Sequence, residues 1–182
     1  LGFLMFGVLL VSCLQKKERP DLQEANAKSY RDTAFWQEYH EAYPVGSAEV
    51  QNEVRSIALD AEGNVWIATP SGVFVKKANE KHWISAISEQ DQGPSFDVEL
   101  DADSAVWMST WNAVYRFKNN KIEKMPGAKS PVSALCRSSE GMYGTGPYGI
   151  WLYGKNGCIK KELHIAQSIR EVISDHHGGL WV

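Results

Sequence analysis

Short apolar runs separated by turn chemistry dominate the middle of this chain. Val54–Leu59 is an apolar-rich run, and Asp60-Ala-Glu-Gly63 follows it as a turn. An Asp in that place bonds its own backbone two residues on, and a Gly takes positive φ without cost. Val65–Thr69 reads as a half-buried strand, Pro70-Ser-Gly72 as a second turn, and Val73-Phe-Val75 as a third strand. His82–Ile87, with Trp83, Ile84 and Ile87 apolar, completes a set of four.

The set then repeats. VRSIALDAEGNVWIATPSGVF (54–74) returns as SFDVELDADSAVWMSTWNAVY (95–115) and as VSALCRSSEGMYGTGPYGIW (132–151), and a fourth copy opens as IREVISDHHGGLWV. Val54, Ser95, Val132 and Ile169 open the copies at spacings of 41, 37 and 37 residues. Three positions on stand Ile57, Val98, Leu135 and Val172; then come Asp60, Asp101, Ser138 and Asp175, and the aromatics Trp66, Trp107, Tyr143 and Trp181. The third copy aligns after a one-residue deletion around Glu140–Gly141. The second replaces both turn glycines, by Ser104 and Ala113, which predicts strained or reshaped turns there.

Four short antiparallel strands in about 40 residues is the size of one propeller blade. The expected fold is therefore all-β: a β-propeller fragment of about three blades plus the start of a fourth, preceded by a short helical segment. Blades are expected at about 51–90, 91–127, 128–165 and, incomplete, 166–182. A β-sandwich is the weaker alternative, because sandwiches do not repeat tryptophans in register. Trp66, Phe74, Trp107, Tyr115 and Trp151 are expected to pack between blades.

The run Asp60-x-x-Gly63-Asn-Val-Trp66-Ile-Ala-Thr69-x-x-Gly72-Val-Phe resembles the two-component regulator propeller repeat, over about 54–182. The resemblance implies an extracytoplasmic sensor part of a signalling protein. Streptogramin lyases and gluconolactonase-like enzymes are similar repeat propellers that do chemistry, so a lyase or lactonase is the rival reading, and a structural scaffold of a surface complex a third.

The front of the chain differs in kind. Leu1–Val11 is unbroken apolar or glycine, and Leu10-Val11-Ser12-Cys13 resembles a bacterial lipobox. Eleven residues fall short of the ~20 a membrane helix needs but suit a signal-peptide core. Residues 1–12 are thus expected to be a signal peptide and Cys13 the acylated residue that anchors the chain to a lipid membrane of the bacterial envelope. No Met and no basic residue precedes the apolar run, so the sequence is expected to start inside its leader and to stop inside a blade. Residues 13–50 read as a polar tether and a short amphipathic helix with Phe35, Tyr39 and Ala42 on one stripe.

Chemistry is sparse. Net charge is −3 with no basic stripe, which argues against nucleic acid as a partner. The histidines (His40, His82, His164, His176, His177) form no ligand spacing, with His176-His177 in a turn. Cys136 and Cys158 fall on inner and outer strands of one blade, beyond disulfide reach. No nucleophile has a base beside it, and neither metal, cofactor nor catalysis is expected. Binding has candidates on one edge of the disc, where second-to-third-strand turns meet the entries to first strands. Trp111, Asn112 and Tyr148 stand at the turn tips; Arg55, Asp97, Arg170 and Glu171 open first strands. An aromatic at a loop tip can stack on a sugar ring or another flat ligand, so a small molecule, glycan or protein is the expected partner of that face.

Overall fold

A computed structural model describes residues 41–127, 131–154, 159–164, 168–175, 177 and 179–182. The expected signal peptide, Cys13, the Phe35–Tyr39 stripe, His40, Cys158 and His176 lie outside the described residues.

Glu41–Val182 forms one compact unit built almost wholly of strands. Strands β1 (Ser56–Leu59), β2 (Val65–Thr69), β3 (Gly72–Lys76) and β4 (Trp83–Ser85) make one antiparallel sheet in the order 1-2-3-4. The same meander recurs as β5 (Ser95–Leu100), β6 (Val106–Thr110), β7 (Val114–Lys118) and β8 (Lys121–Lys124), and as β9 (Ala134–Arg137), β10 (Met142–Gly146), β11 (Gly149–Tyr153) and β12 (Ile159–His164). A two-stranded sheet, β13 (Ile173–Ser174) with β14 (Leu180–Trp181), comes last. The first strands β1, β5, β9 and β13 pack against one another in succession, so they line the axis and each sheet radiates from it. Sheets arranged this way are propeller blades.

The register of the strands explains the repeated residues. Trp66 pairs with Ala58 and Val75, Trp107 with Glu99 and Arg116, and both indoles lie 1% exposed. Trp66 meets Phe117 of the second blade at 4.8 Å between centroids, and Trp107 meets Tyr153 of the third at 5.5 Å. The first two copies thus set their tryptophan against an aromatic of the next. Tyr115 lies in the cluster between the first two blades and Trp151 in that between the second and third. Phe74 departs from expectation. Its neighbours Val73 and Val75 face the second blade, so the pleat turns Phe74 the other way, and it stays half-buried.

The second strands also correct the reading. Val65–Thr69 is not half-buried: all but Val65 are buried, and β6, β10 and β11 are buried throughout. A middle strand between two stacked sheets is covered on both faces, so alternation gives way to continuous apolar runs. On the first blade the outer cover comes from chain, with Tyr43, Pro44, Val45 and Val54 lining a groove over Ile67. Trp83 Nε1 donates to the Tyr43 carbonyl at 2.8 Å, and Lys76 lies 4.7 Å above the Tyr43 ring. Asn52 closes this segment by accepting from the Val45 amide at 2.7 Å and donating to the Gly46 carbonyl at 2.9 Å.

The motif Asp does more than make a turn. Asp60 Oδ1 accepts the Glu62 and Asn64 amides at 3.0 and 2.8 Å, while Oδ2 accepts Asn64 Nδ2 and Trp66 Nε1, both at 2.8 Å. Asp101 repeats this with the Asp103 and Ala105 amides at 2.8 and 2.9 Å and Trp107 Nε1 at 2.9 Å. Where Asn64 becomes Ala105, the missing donor is replaced by Arg116 Nη2, 2.9 Å from Asp101 Oδ2, with its guanidinium 5.5 Å from the Trp107 ring. Asp175 keeps the turn contacts, from the His177 and Gly179 amides at 2.8 Å each. The third copy, with Ser138 and Tyr143, has lost Asp and Trp together. Its turn closes one residue sooner, from the Ser138 amide to the Gly141 carbonyl at 2.9 Å, which is the deletion read from the sequence.

The second copy's missing glycines resolve in two ways. Ser104 takes the left-handed conformation of Gly63, φ 58 against 80, and bears the strain. Ala113 is not left-handed at all; Thr110 Oγ1 accepts its amide at 3.1 Å and remakes the turn.

Candidate functional site

Antiparallel order puts the β2–β3 type turns and the entries to first strands at the same edge of every blade. Hydrogen bonds seal this edge: the Arg55 amide to the Ala68 carbonyl at 2.9 Å, Ser133 to Thr145 at 2.6 Å and Ile169 to Gly146 at 3.4 Å. Trp111 and Tyr148 stand at the turn tips of adjacent blades, 50% and 52% exposed. They occupy successive positions of the same turn, Trp111 the first tip residue of its blade and Tyr148 the second of the next, and both keep a large aromatic face open to solvent. The Trp111 amide donates to the Pro94 carbonyl at 2.8 Å, and its indole lies over Gly93, where an added Cβ would come 2.3 Å from Nε1. Gly93 is needed for that close approach. Asn112 shapes the turn beneath, its Oδ1 accepting from Thr110 Oγ1 at 2.9 Å.

The four first-strand candidates divide. Arg55 stays at this edge: Nη1 donates to the Ser95 carbonyl at 3.2 Å, Nε lies 3.6 Å from Glu53, and the guanidinium carbon sits 5.6 Å from the Phe96 ring centre. Phe96, the residue equivalent to Arg55 in the second copy, therefore belongs to the group. Two position-two residues of successive copies are neighbours across a blade interface, and register alone could have paired them. Arg170 and Glu171 are exposed just ahead of β13, with no side-chain partner among the described residues.

Asp97 is turned inward, into the joint between blades. Oδ1 accepts from Ser56 Oγ at 2.6 Å, and Oδ2 accepts the Leu135 amide at 2.7 Å, so one carboxylate ties three first strands. A first strand has no ladder partner on its axial edge, and side chains of the preceding blade supply one. Ser56 Oγ accepts the Val98 amide at 3.3 Å, Ser133 Oγ donates to the Ile169 carbonyl at 2.8 Å, and Cys136 Sγ accepts the Ser174 amide at 3.1 Å. Variation along Ser56, Asp97 and Ala134 thus records how each joint is capped.

Burial pushes the Asp97 carboxyl above its usual range despite the bonds from Ser56 and Leu135. Glu99 is raised by burial and by the Asp97 charge, against a lowering by Arg137. Cys136 is a free thiol that burial, with the charges of Glu99 and Asp97, raises against the Ser174 bond, so it stays protonated and a poor nucleophile. Among the described residues no three His, Cys, Asp or Glu side chains are grouped to hold a metal.

A raised carboxyl contributes stability that is complete below the ordinary aspartate value and lost as pH rises through the folded one. Asp97→Asn keeps an oxygen for the Leu135 amide and removes the buried charge. It is expected to match or exceed the parent in urea unfolding at pH 7, with the advantage shrinking as pH falls through the raised folded value of Asp97. Asp97→Ala, leaving a buried amide unpaired, is expected to cost about 1–3 kcal/mol. A loss in Asp97→Asn equal to that in Asp97→Ala contradicts the tie.

At the opposite edge lies a cleft of about 360 Å³ between the first two blades, lined by Asp60–Glu62, Asp103, Ser104 and Lys118–Asn120 over Val106 and Phe117. No sequence feature marks it, because its polar lining is ordinary turn chemistry taken singly and Val106 and Phe117 read as strand core.

The stacked four-stranded meanders and their Asp–Trp link define a propeller of the repeat class. The chain carries the two-component regulator propeller repeat, whose family description matches residues 49–71. No curated protein sequence matches the chain. Among solved structures it is similar to the extracellular domains of two hybrid two component systems from B. thetaiotaomicron, BT4673 (18% identity, TM-score 0.61, covering 74% of this chain and 20% of that one) and BT3049 (20%, 0.60, 78% and 22%). It is also similar to virginiamycin B lyase from Staphylococcus aureus (15%, 0.58, 71% and 48%). At these identities the likeness shows the fold. The chain spans about a fifth of the two extracellular domains and under half of the lyase.

Proposed function

We propose that this chain is part of an extracytoplasmic ligand-binding module, and that its turn-tip edge receives a flat ligand such as a sugar ring. The observation that carries the reading is the pair Trp111 and Tyr148, half-exposed at the turn tips of adjacent blades. Likeness to the extracellular domains of hybrid two component systems supports the setting. Ring stacking contributes about 0.5–1.5 kcal/mol beyond area burial. Trp111→Ala and Tyr148→Ala are each expected to weaken saccharide binding by about fivefold or more, followed by calorimetry on a glycan panel, with unfolding midpoints unchanged because both rings are exposed. Saccharide affinity indifferent to both substitutions sinks the reading, and turnover of a lactone or cyclic peptide would instead support the enzyme class.

The same reading holds the module to a membrane through acylated Cys13. Cys13→Ala in cells is expected to abolish incorporation of labelled fatty acid, and continued labelling refutes the anchor.

A further inference from the structure

We infer that the turn-tip edge of the first two blades selects a ring bearing a negative charge, read by Arg55 over Phe96; this rests on the ligand-binding reading of that edge. Two residues from different blades hold one connection, Gly93–Phe96. The Trp111 backbone amide donates to the Pro94 carbonyl at 2.8 Å while its indole covers Gly93, and Arg55 donates to the Ser95 carbonyl at 3.2 Å and lies 5.6 Å from the Phe96 ring centre. The same connection thus carries a half-exposed indole and a guanidinium, a stacking surface and a charge.

The charge of Arg55 exceeds what the fold needs there. The equivalent residue of the third copy is Ser133, and its hydroxyl caps the equivalent carbonyl, that of Ile169, at 2.8 Å. A neutral hydroxyl therefore suffices for the inter-blade tie. Arg55 brings five donors in a planar fork and spends one on Ser95. Glu53 faces Nε at 3.6 Å with its own side chain 62% exposed, an ion pair of little worth in water. The Arg55 side chain keeps 32% exposure, and its bond to Ser95 and position over Phe96 set its place before any ligand arrives. Such a fork suits a carboxylate or sulfate, which it can bind through two parallel bonds.

The test compares a hexuronic-acid oligosaccharide, its carboxyl-reduced neutral counterpart, a sulfated oligosaccharide and polyphosphate, titrated calorimetrically into the parent chain at low salt. The acidic saccharide is expected to bind about tenfold tighter than the reduced one, in line with one charge-assisted fork. Arg55→Ser, which retains a hydroxyl as Ser133 does, is expected to erase the preference between the acidic and the reduced saccharide. Glu53→Gln is expected to tighten the acidic saccharide about two- to fivefold by removing a like charge, a gain that misfolding cannot imitate. Trp111→Ala weakens both saccharides. Tighter binding of the uronate or of the sulfate identifies which anion the fork reads. Equal binding of acidic and reduced saccharides overturns the anion preference and leaves the ligand face standing. Polyphosphate binding as tight as the uronate and unmoved by Trp111→Ala overturns ring recognition. Binding of neither saccharide overturns the ligand reading along with the preference.

Discussion

Asp101→Ala is expected to destabilise the chain by about 3–5 kcal/mol, the range for removing one member of a buried ion pair. Asp101 accepts two backbone amides, Trp107 Nε1 and Arg116 Nη2, and the paired Asp101 and Arg116 side chains keep only 12% and 9% exposure. Deleting the carboxylate leaves the guanidinium buried above Trp107 with no counter-charge. Arg116→Met in the same chain is expected to recover a large share of the loss, because it removes the stranded charge while filling the volume. Asp60→Ala should cost less, about 1–3 kcal/mol, since its fourth donor is the neutral Asn64 amide. Urea unfolding of the three variants decides the matter; a double variant no better than Asp101→Ala contradicts the account.

The same carboxyls set the acid limit. Burial alone would raise both, but Trp66 and Asn64 at Asp60, and Trp107, Ala105 and Arg116 at Asp101, hold them below the ordinary aspartate value. A depressed folded value means stability that is full above the unfolded value and lost as pH falls through the folded one. The chain should therefore hold through mild acid and unfold below about pH 4, where unfolded aspartates begin to take up protons. Asp97 and Glu99, shifted the opposite way, soften that fall without reversing it.

Gly149→Ala is expected to be comparably damaging, about 3–5 kcal/mol from left-handed strain and overpacking together. Gly149 has φ 142, and a Cβ there would lie 2.1 Å from the Leu163 carbonyl oxygen, a backbone atom held in the β11–β12 ladder. The register partner in the second blade is already Ala113, so a reading by register alone predicts tolerance. Ala113 survives because Thr110 rebuilds its turn and leaves φ negative; Gly146 sits at that place in the third copy, pairs directly with Gly149 and has no hydroxyl to rebuild the turn. Gly72→Ala should cost less, because its nearest obstacle is the end of the Gln92 side chain. Equal unfolding midpoints for Gly149→Ala and the parent would refute the steric argument.

The turn Asp and the strand Trp were legible as landmarks because repetition in register made them visible. Their hydrogen bond was not, since six residues of separation say nothing of direction until Asp60 and Trp66 close around one hairpin. The loss of both in the third copy, Ser138 and Tyr143, was on view in the sequence and gains its meaning only from that bond. At the candidate site, Trp111, Tyr148 and Arg55 were found because loop aromatics and strand entries fall on one edge in any such meander. Asp97 was read as facing a ligand, and the structure turns it into the joint between blades. Which way a first-strand side chain points depends on the neighbouring blade, and no local pattern encodes the neighbour.

The sequence by itself determined the number and order of strands, the blade repeat and the edge where aromatic tips gather. These follow from local chemistry: turns set by Asp and Gly, strands set by apolar runs, and identical units that can bury their faces only by stacking. Tertiary structure alone decided which polar side chains cap the axial edges and that Arg55 reaches the Ser95 carbonyl and the Phe96 ring. Those contacts join residues of different blades, about 40 positions apart, and the distance between such residues is fixed by packing rather than by spacing along the chain.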